Sequence, residues 1–350
     1  MNESRASSGA RRRRPAPPGP SMTDVAALAG VSAQTVSRVA RDEPTVKPET
    51  AARVRVAMEQ LGYTPNRAAR ALRYGHYGTV GMIAHRLART GESRTVEAVV
   101  EAAQSEGYTV TLVDLASPAA DDVSAAVARL SHQDIDGLII IRAETATPDT
   151  LVLPSHLPVV VSDSRFVGHH PAVGADQVGG AEVAVAHLLR LGHRTVHHLA
   201  GPPDSIPARQ REEAWRAALA EAGAVAPPAV RGDWTATSGY DAGAALAADP
   251  EVTAVFAAND EMAAGLMRAL HEAGRAVPGD VSVVGFDGIE LSAQLWPPLT
   301  TVAQDFGEIG RRLVDLLLRQ VRDREDLADT HSVVPVRLVE RASTAPPPGR

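Results

Sequence analysis

The sequence contains no cysteine among its 350 residues. This absence excludes disulfide bonds, cysteine-ligated zinc sites and thiol catalysis, and it fits a reducing compartment such as the cytoplasm. Long apolar segments are also missing, because no run approaches the roughly 18 residues that a membrane span requires. Aromatic residues are scarce, with only 3 Trp, 5 Tyr and 4 Phe, so a tryptophan beside a turn is informative.

The charge is unevenly distributed along the chain. The net charge is −7, yet residues 1–78 hold 13 Lys and Arg against 6 Asp and Glu. A basic first part on an acidic remainder is expected of a protein that meets phosphate at one end. Residues 1–21 are rich in Arg, Pro, Ser and Gly, which predicts a disordered tail and no signal peptide. A solvated tail, or sequence upstream of a start at Met22, explains their arginine run better than a DNA contact does.

A segment near the amino terminus has the spacing of two short helices joined by a turn. Thr23 can cap the first helix, Val25, Leu28 and Ala29 form its apolar face, and Gly30 can adopt the positive φ that ends it. The serine two residues later caps a second helix, which turns its two valines inward and leaves polar side chains outside. The arrangement predicts a helix-turn-helix, whose second helix enters the major groove of DNA. An ordinary helical hairpin with a polar face is the alternative.

A third helix is predicted to follow. Pro48 suits its first position, Thr50, Val54 and Met58 lie along one face with Leu61, and a glycine ends it. With this spacing, the second helix projects from the other two. Its arginine can pair with a guanine edge, and its glutamine can pair with adenine or a phosphate. Hydroxyl side chains are better placed for phosphates. The predicted DNA contacts on this helix are Ser32, Ala33, Gln34, Thr35, Ser37 and Arg38.

The string TDVAALAGVSAQTVSRV, residues 23–39, closely resembles the amino-terminal signature of the lactose-repressor (LacI/GalR) family of bacterial regulators. The resemblance implies that Ala33, Gln34 and Arg38 read the operator, although Ala33 can contact a thymine methyl at most. It also implies that a short helix after Pro65 is the family's hinge, which forms on DNA in a dimer and wedges Leu72 into the minor groove. A plain linker is the alternative. The hinge residues implied to contact DNA are Asn66, Arg67, Ala69 and Leu72.

From Thr79 onward the pattern changes to short apolar runs alternating with amphipathic stretches. Runs such as 137–141 and 254–257 are typical of strands, and stretches such as 179–191 and 261–273 are typical of helices. Such alternation predicts parallel sheets with helices on both faces, which bind ligands at the carboxyl ends of their strands.

Polar residues stand where those strands end. Asp163, Asn259 and Asp287 each follow an apolar run, and Arg209 opens the helix after Ala200-Gly201-Pro202. Taken singly, each also fits a turn, a helix cap or a surface cation, and Trp234 also fits a packing role. The body resembles the family's periplasmic-binding-protein-type domain, and this resemblance implies a ligand between two lobes. The implied effector contacts are Asp163, Arg209, Trp234, Asn259, Asp287 and Gln304.

The predicted architecture is therefore an α-helical helix-turn-helix head on a two-lobed α/β body. The predicted boundaries are a tail at 1–21, the DNA-binding domain at 22–65, the hinge and linker at 66–78, the effector-binding and dimerisation domain at 79–345, and a second tail at 346–350. The two lobes are expected at about 79–175, with a returning segment, and at 176–302.

The predicted function is that of a transcriptional regulator, a repressor by the family's habit, which binds a near-palindromic operator as a homodimer in the cytoplasm. A sugar bound between the lobes would control it, and the effector residues most resemble the galactoside-binding branch of the family. The alternatives are a repressor that responds to a purine or another non-sugar, and a sugar-binding transport protein, which would need an export signal and no DNA head. The sequence shows no nucleophile elbow, phosphate loop or metal spacing, so neither an enzyme nor a cofactor is predicted.

Overall fold

A computed structural model describes residues 20–40, 45–63, 76–115, 120–141, 153–154, 157–162 and 168–349. The chain divides into two compact units, Met1–His76 and Tyr77–Arg350. Five residues with predicted roles lie outside the described ranges: Asn66, Arg67, Ala69, Leu72 and Asp163. Among the helices of the described residues, none has the length and apolar character needed to cross a bilayer.

Within its described residues, the first unit contains three helices around a small apolar core. Because α2 is only seven residues long, burial of its valines against the other two helices has to stabilise it. The helices are α1 (Met22–Ala29), α2 (Ala33–Val39) and α3 (Pro48–Leu61). The buried residues of the core are Val25, Ala26, Ala29, Val36, Val39, Ala51, Val54 and Ala57.

The ends of the first helix differ in part from the prediction. Ser21, not Thr23, is the cap: the Asp24 N–H donates to the Ser21 hydroxyl at 3.3 Å, and the Ser21 N–H donates to the Asp24 carboxylate at 2.8 Å. This reciprocal pair satisfies two exposed helix donors, which Thr23 inside the helix cannot do. Gly30 ends the helix with φ 64°, as predicted. The inward position predicted for Leu28 is wrong, because the buried stripe includes Ala26 instead and leaves Leu28 51% exposed.

The second unit is built on two six-stranded sheets, which confirms the predicted α/β body. Both are parallel except that β12 runs antiparallel to β10. The first sheet has the order β11-β5-β4-β3-β1-β2, with β1 (Thr79–His85), β2 (Thr109–Leu115), β3 (Gly137–Ile141), β4 (Val159–Ser162), β5 (Ala172–Ala175) and β11 (His331–Val334). The second has the order β12-β10-β9-β8-β6-β7, with β6 (His197–Ala200), β7 (Val230–Arg231), β8 (Ala254–Ala257), β9 (Ser282–Asp287), β10 (Thr300–Ala303) and β12 (Arg337–Val339).

Helices cover the sheets and complete two lobes, each named after its sheet. The central strands are buried along their whole length, as expected where helices lie on both faces. The first lobe includes α4 (Thr90–Ser105), α5 (Ala120–Ser131) and α10 (Phe306–Arg322). The second includes α6 (Gln177–Arg190), α7 (Ile206–Glu221), α8 (Ala236–Ala248), α9 (Asp260–Glu272) and a 3₁₀ turn at Glu290–Ala293. The chain crosses between the lobes after β5, after β10 and after β11.

Trp215 is fully buried in the second lobe. Its indole N–H donates to the Val196 carbonyl at 2.9 Å, and its ring lies 5.2 Å from that of His198. Burial lowers the pKa of His198 to about 4, while a hydrogen bond with the Phe256 carbonyl opposes the shift. The imidazole is therefore neutral at pH 7 and serves the core rather than a site.

Candidate functional site

Polar side chains converge at the carboxyl ends of the strands in the second sheet. Asn259 follows β8, Asp287 ends β9, and Gln304 follows β10. The Gln304 amide donates to Asp287 Oδ1 at 2.6 Å. Because parallel strands end at one edge of a sheet, three predicted residues from distant parts of the sequence lie close together.

Arg211 supplies the positive charge at this edge, and the sequence analysis missed it. It is 1% exposed, and its guanidinium donates to Gln177 Oε1 at 2.8 Å and to the Ala258 carbonyl. A third nitrogen lies 3.4 Å from Asp287 Oδ1. The guanidinium carbon lies 3.6 Å from the centre of the Phe286 ring, so the cation is held by charge, hydrogen bonds and an aromatic face.

The structure does not bring the predicted Arg209 into this cluster. Residues two positions apart on an α-helix are separated by roughly 200° around its axis, so Arg209 and Arg211 cannot face the same way. Arg209 is half-buried on α7, and its side chain makes no hydrogen bond to any described residue. The arginine that lies in the cluster is therefore Arg211, two positions further along this helix.

Trp234 lies at the edge of the same cluster. It is 8% exposed and has a φ of 81°, a backbone conformation that non-glycine residues seldom adopt. The ring fits against Gly201, where a Cβ atom would lie 2.6 Å from it. Asn259 Nδ2 donates to the Trp234 carbonyl at 2.9 Å. The buried indole N–H has no hydrogen-bond partner among the described residues, so a donor is available inside the site.

Asp260 is a buried carboxyl group that no sequence pattern indicated. The Thr301 hydroxyl donates to one of its oxygens at 2.5 Å, and the Ile289 N–H donates to the other at 2.9 Å. Burial, and after it the charge of Asp287, raise the pKa of Asp260 to about 8, while the two hydrogen bonds oppose the shift. These contacts connect the segment after β9, strand β10 and the start of α9.

Asp260→Asn should alter how stability depends on pH. The folded pKa of Asp260 lies above the usual value of 3.8, so the folded state holds a proton that the unfolded state releases between about pH 4 and pH 8. Stability from this group is therefore complete below about pH 4 and is lost as the pH rises to about 8. Asparagine cannot ionise and can still pair with Ile289 and Thr301. We expect the melting temperature of Asp260→Asn, measured against that of the unmodified protein, to rise from pH 5 to about pH 8 and then to level off; a constant difference would contradict the assignment.

The first lobe supplies the opposite wall of the site. A cavity of about 20 Å³ lies between Arg89, Thr90, Gly91 and Glu92 of the first lobe and Arg211, Trp234, Asn259 and Asp287 of the second. We call the space between these two walls the cleft. The cavity has room for about one water molecule, so a larger ligand requires the lobes to separate. The sequence analysis named none of these first-lobe residues, which lie at the start of α4.

A wider groove of about 390 Å³ adjoins the cavity. Arg94, Glu97 and Glu101 of α4 line one side, and Asp287 and Gln304 line the other. The two spaces share Asp287, so this carboxylate borders both the cavity and a groove with charged walls. Within the described ranges, no group of three or more His, Asp or Glu residues is arranged to hold a metal ion.

The first unit presents the side of α2 that the sequence predicts. Ser32 caps the helix by accepting from the Thr35 N–H at 3.1 Å. Ser32, Ala33, Gln34 and Arg38 are exposed, and Thr35 and Ser37 are half-buried. Burial of Val36 and Val39 fixes this orientation, so a polar surface of suitable shape for a DNA groove follows from the apolar positions.

Comparison with known proteins accounts for both units. The family described as "Bacterial regulatory proteins, lacI family" matches residues 21–66, and "Periplasmic binding protein-like domain" matches residues 185–344. The ribose operon repressor of Escherichia coli (strain K12) is 32% identical over 328 residues, which cover 92% of this chain and 99% of the relative. The lactose operon repressor of the same strain is 35% identical over 329 residues, which cover 93% and 90%.

The chain belongs to the LacI family.

A solved structure agrees with this assignment. The lac repressor bound to ONPG in the repressed state matches with a TM-score of 0.82 at 33% identity, over 93% of this chain and 100% of that one. This LacI-family chain is thus a DNA-binding transcriptional regulator with a body for a small-molecule effector, and its relatives are repressors, not enzymes. The resemblance stated from residues 23–39 is confirmed.

Proposed function

We propose that this LacI-family protein is a dimeric repressor whose operator affinity is controlled by a sugar bound in the cleft. The observation that carries the proposal is the cluster of Arg211, Asp287, Gln304, Asn259 and Trp234 facing a polar wall on the first lobe. Carboxylates, amides and a guanidinium supply the acceptors and donors that sugar hydroxyls need, and an indole suits the apolar face of a sugar ring.

The first-lobe wall favours a sugar over a purine. Arg89 and Glu92 are an ion pair 3.6 Å apart, and both are largely buried at this wall. A planar base needs aromatic or apolar surfaces on its two faces, and Trp234 is the one aromatic among the described residues that line the cavity. Many charged groups at close range suit a ligand with several hydroxyls. The relatives named for ribose and lactose make a pentose and a galactoside the first candidates.

The α2 surface of the first unit is proposed to read the operator. Gln34 and Arg38 are exposed and carry the side chains that pair with adenine and guanine edges. Ser32, Thr35 and Ser37 are proposed to bind phosphates, and Ala33 to approach a thymine methyl. The hinge roles of Asn66, Arg67, Ala69 and Leu72 stay predictions from the sequence, as does the effector role of Asp163.

The proposed sugar can be tested with a thermal-shift screen of the full chain. The probes are D-ribose, methyl β-D-galactoside and hypoxanthine, with Trp234→Ala tested in parallel. A ligand at 100 times its dissociation constant adds about 2.7 kcal/mol of stability, which is easily measured. A shift with either sugar that Trp234→Ala abolishes supports the proposal. A shift with hypoxanthine alone would replace the sugar with a purine.

Trp296 is proposed to lie in the dimer interface. It is 94% exposed, and Leu291 in the preceding 3₁₀ turn is 53% exposed. An indole at the centre of an interface commonly contributes 2 kcal/mol or more of binding. A lac repressor dimer is known bound to operator. We therefore expect Trp296→Glu to raise the dimer dissociation constant by about 30-fold or more, as measured by sedimentation velocity.

Val225→Glu is the matched control for Trp296→Glu. Val225 is also an exposed apolar residue of the second lobe, at 80% exposure, but it lies at a different part of the surface, between α7 and β7. Its substitution should leave the dimer intact. If Val225→Glu dissociated the dimer and Trp296→Glu did not, the proposed interface would be in the wrong place.

A further inference from the structure

Glu261 joins the two lobes at the edge of the cleft. The hydroxyl of Thr90, the first residue of α4 in the first lobe, donates to Glu261 Oε1. Glu261 is the second residue of α9 in the second lobe. Its other oxygen, Oε2, accepts from Asn259 Nδ2 at 2.8 Å. One carboxylate thus connects the opposite lobe with a residue of the candidate effector site.

The same carboxylate fixes the orientation of the Asn259 amide. A carboxylate accepts hydrogen bonds, so the amide nitrogen of Asn259 turns toward it and toward the Trp234 carbonyl. The amide oxygen then accepts from the Met262 N–H at 3.0 Å and caps α9. Both N–H groups of the amide are occupied, and the oxygen keeps one lone pair. Asn259 therefore offers a ligand an acceptor, and a ligand that needs its donors has to displace Glu261.

Charge adds to the attraction across the cleft close to this contact. Hydrogen bonds from Thr235 are the main cause of the lowered pKa of Asp233, and the positive charge of Arg89 lowers it further. Arg89 precedes Thr90 in the first lobe, and Asp233 precedes Trp234 in the second. The contact between Thr90 and Glu261 is thus supported by a neighbouring pair of opposite charges.

We propose that Glu261 is an interlobe latch, which holds the cleft closed through Thr90 and couples closure to the orientation of Asn259. The coupling to an effector rests on the proposed function, whereas the latch does not. Glu261 acts through Asn259 and Thr90, so it is a positioning residue. A hydrogen bond to a charged group contributes enough for its loss to lower the ratio of closed to open cleft by about 10- to 100-fold.

The absence of cysteine allows a direct measurement of closure. Ala128 on α5 and Ala245 on α8 are exposed residues on opposite lobes, and each can be replaced by cysteine and spin-labelled. Double electron–electron resonance on the full chain without ligand, diluted with unlabelled protein, then gives the distance between the lobes. We expect Glu261→Ala and Thr90→Val to broaden this distribution and shift it, with no further change in the double variant. Thr90→Ser, which keeps the hydroxyl, should restore the original distribution.

Glu272→Ala is the matched control for the latch. Glu272 lies on the same helix and accepts from the Tyr240 hydroxyl at 2.6 Å, but both residues belong to the second lobe. Its loss should leave the distance between the lobes unchanged. An unaltered distribution in both Glu261→Ala and Thr90→Val would overturn the latch, and so would an equal effect of Glu272→Ala. No sugar is added, so failure of the proposed effector cannot be mistaken for failure of the latch.

Discussion

Replacing Arg211 with alanine should cost about 3–5 kcal/mol of stability, the usual result of removing one partner of a buried ion pair. Asp287 would keep the Gln304 amide but lose its cation, and the Gln177 and Ala258 oxygens would lose their donors. The same variant should lose any thermal shift produced by a sugar, because the guanidinium lines the cavity. The measurements are urea unfolding and the thermal-shift screen.

Arg209→Ala is the control that the helix itself provides. Arg209 has the same side chain on the same helix, but it faces about 200° away from Arg211. We expect its replacement to change stability by about 0.5 kcal/mol or less and to leave the sugar response intact. If Arg209→Ala abolished the response and Arg211→Ala did not, the placement of the site on α7 would be wrong. Arg211→Lys, which keeps a charge but not the planar fork, should fall between the two.

Helix phase explains why the sequence led to Arg209 and not Arg211. Arg209 lies near the start of the helix after β6, and that position alone does not show which side of the helix is buried. Trp215 lies in the core, and a residue four positions earlier lies on the same face of a helix. Arg211 is that residue. The buried tryptophan therefore shows which arginine of this helix faces the same side as the core.

The site edge of the second sheet was predictable because β8, β9 and β10, which follow one another along the chain, are also neighbours in the sheet. Apolar runs mark β8 and β9, and the polar residues that follow them, Asn259 and Asp287, meet at one edge by the geometry of parallel strands. The first-lobe wall had no such signal. Arg89 precedes α4 and Glu92 lies in its first turn. Sequence patterns locate a helix start only to within a few residues, and nothing local shows that this segment faces the other lobe.

Asp260 could not have been assigned from the sequence for a different reason. It follows Asn259 at the start of a helix, where an acidic residue is common because it favours the helix dipole. Only the folded contacts with Thr301 and Ile289, and the proximity of Asp287, show that this carboxyl group is buried. Its role depends on distant segments of the chain, and local patterns contain no information about them.

Arg38→Ala should weaken operator binding and relax the choice of base at one position of each half-site. A bidentate pair between arginine and guanine contributes about 1–3 kcal/mol of discrimination, which corresponds to about 5- to 150-fold for each head. Arg38 is exposed on α2 beside the buried Val39, whose burial orients it outward. The measurement is selection from random DNA with the full chain, followed by binding assays on the selected sites at several salt concentrations.

Arg53→Ala on α3 separates base reading from simple charge. Arg53 is an exposed arginine of the same unit, so its loss removes the same charge from the head. We expect it to select the same DNA sequence as the unmodified protein and to lower affinity evenly across sequences, with at most a shallower dependence on salt. Arg38→Ala, in contrast, should lose the preference at one base pair while binding of random DNA changes little. Identical selected sequences for all three proteins would show that Arg38 contacts phosphate and that base reading depends on other residues of α2.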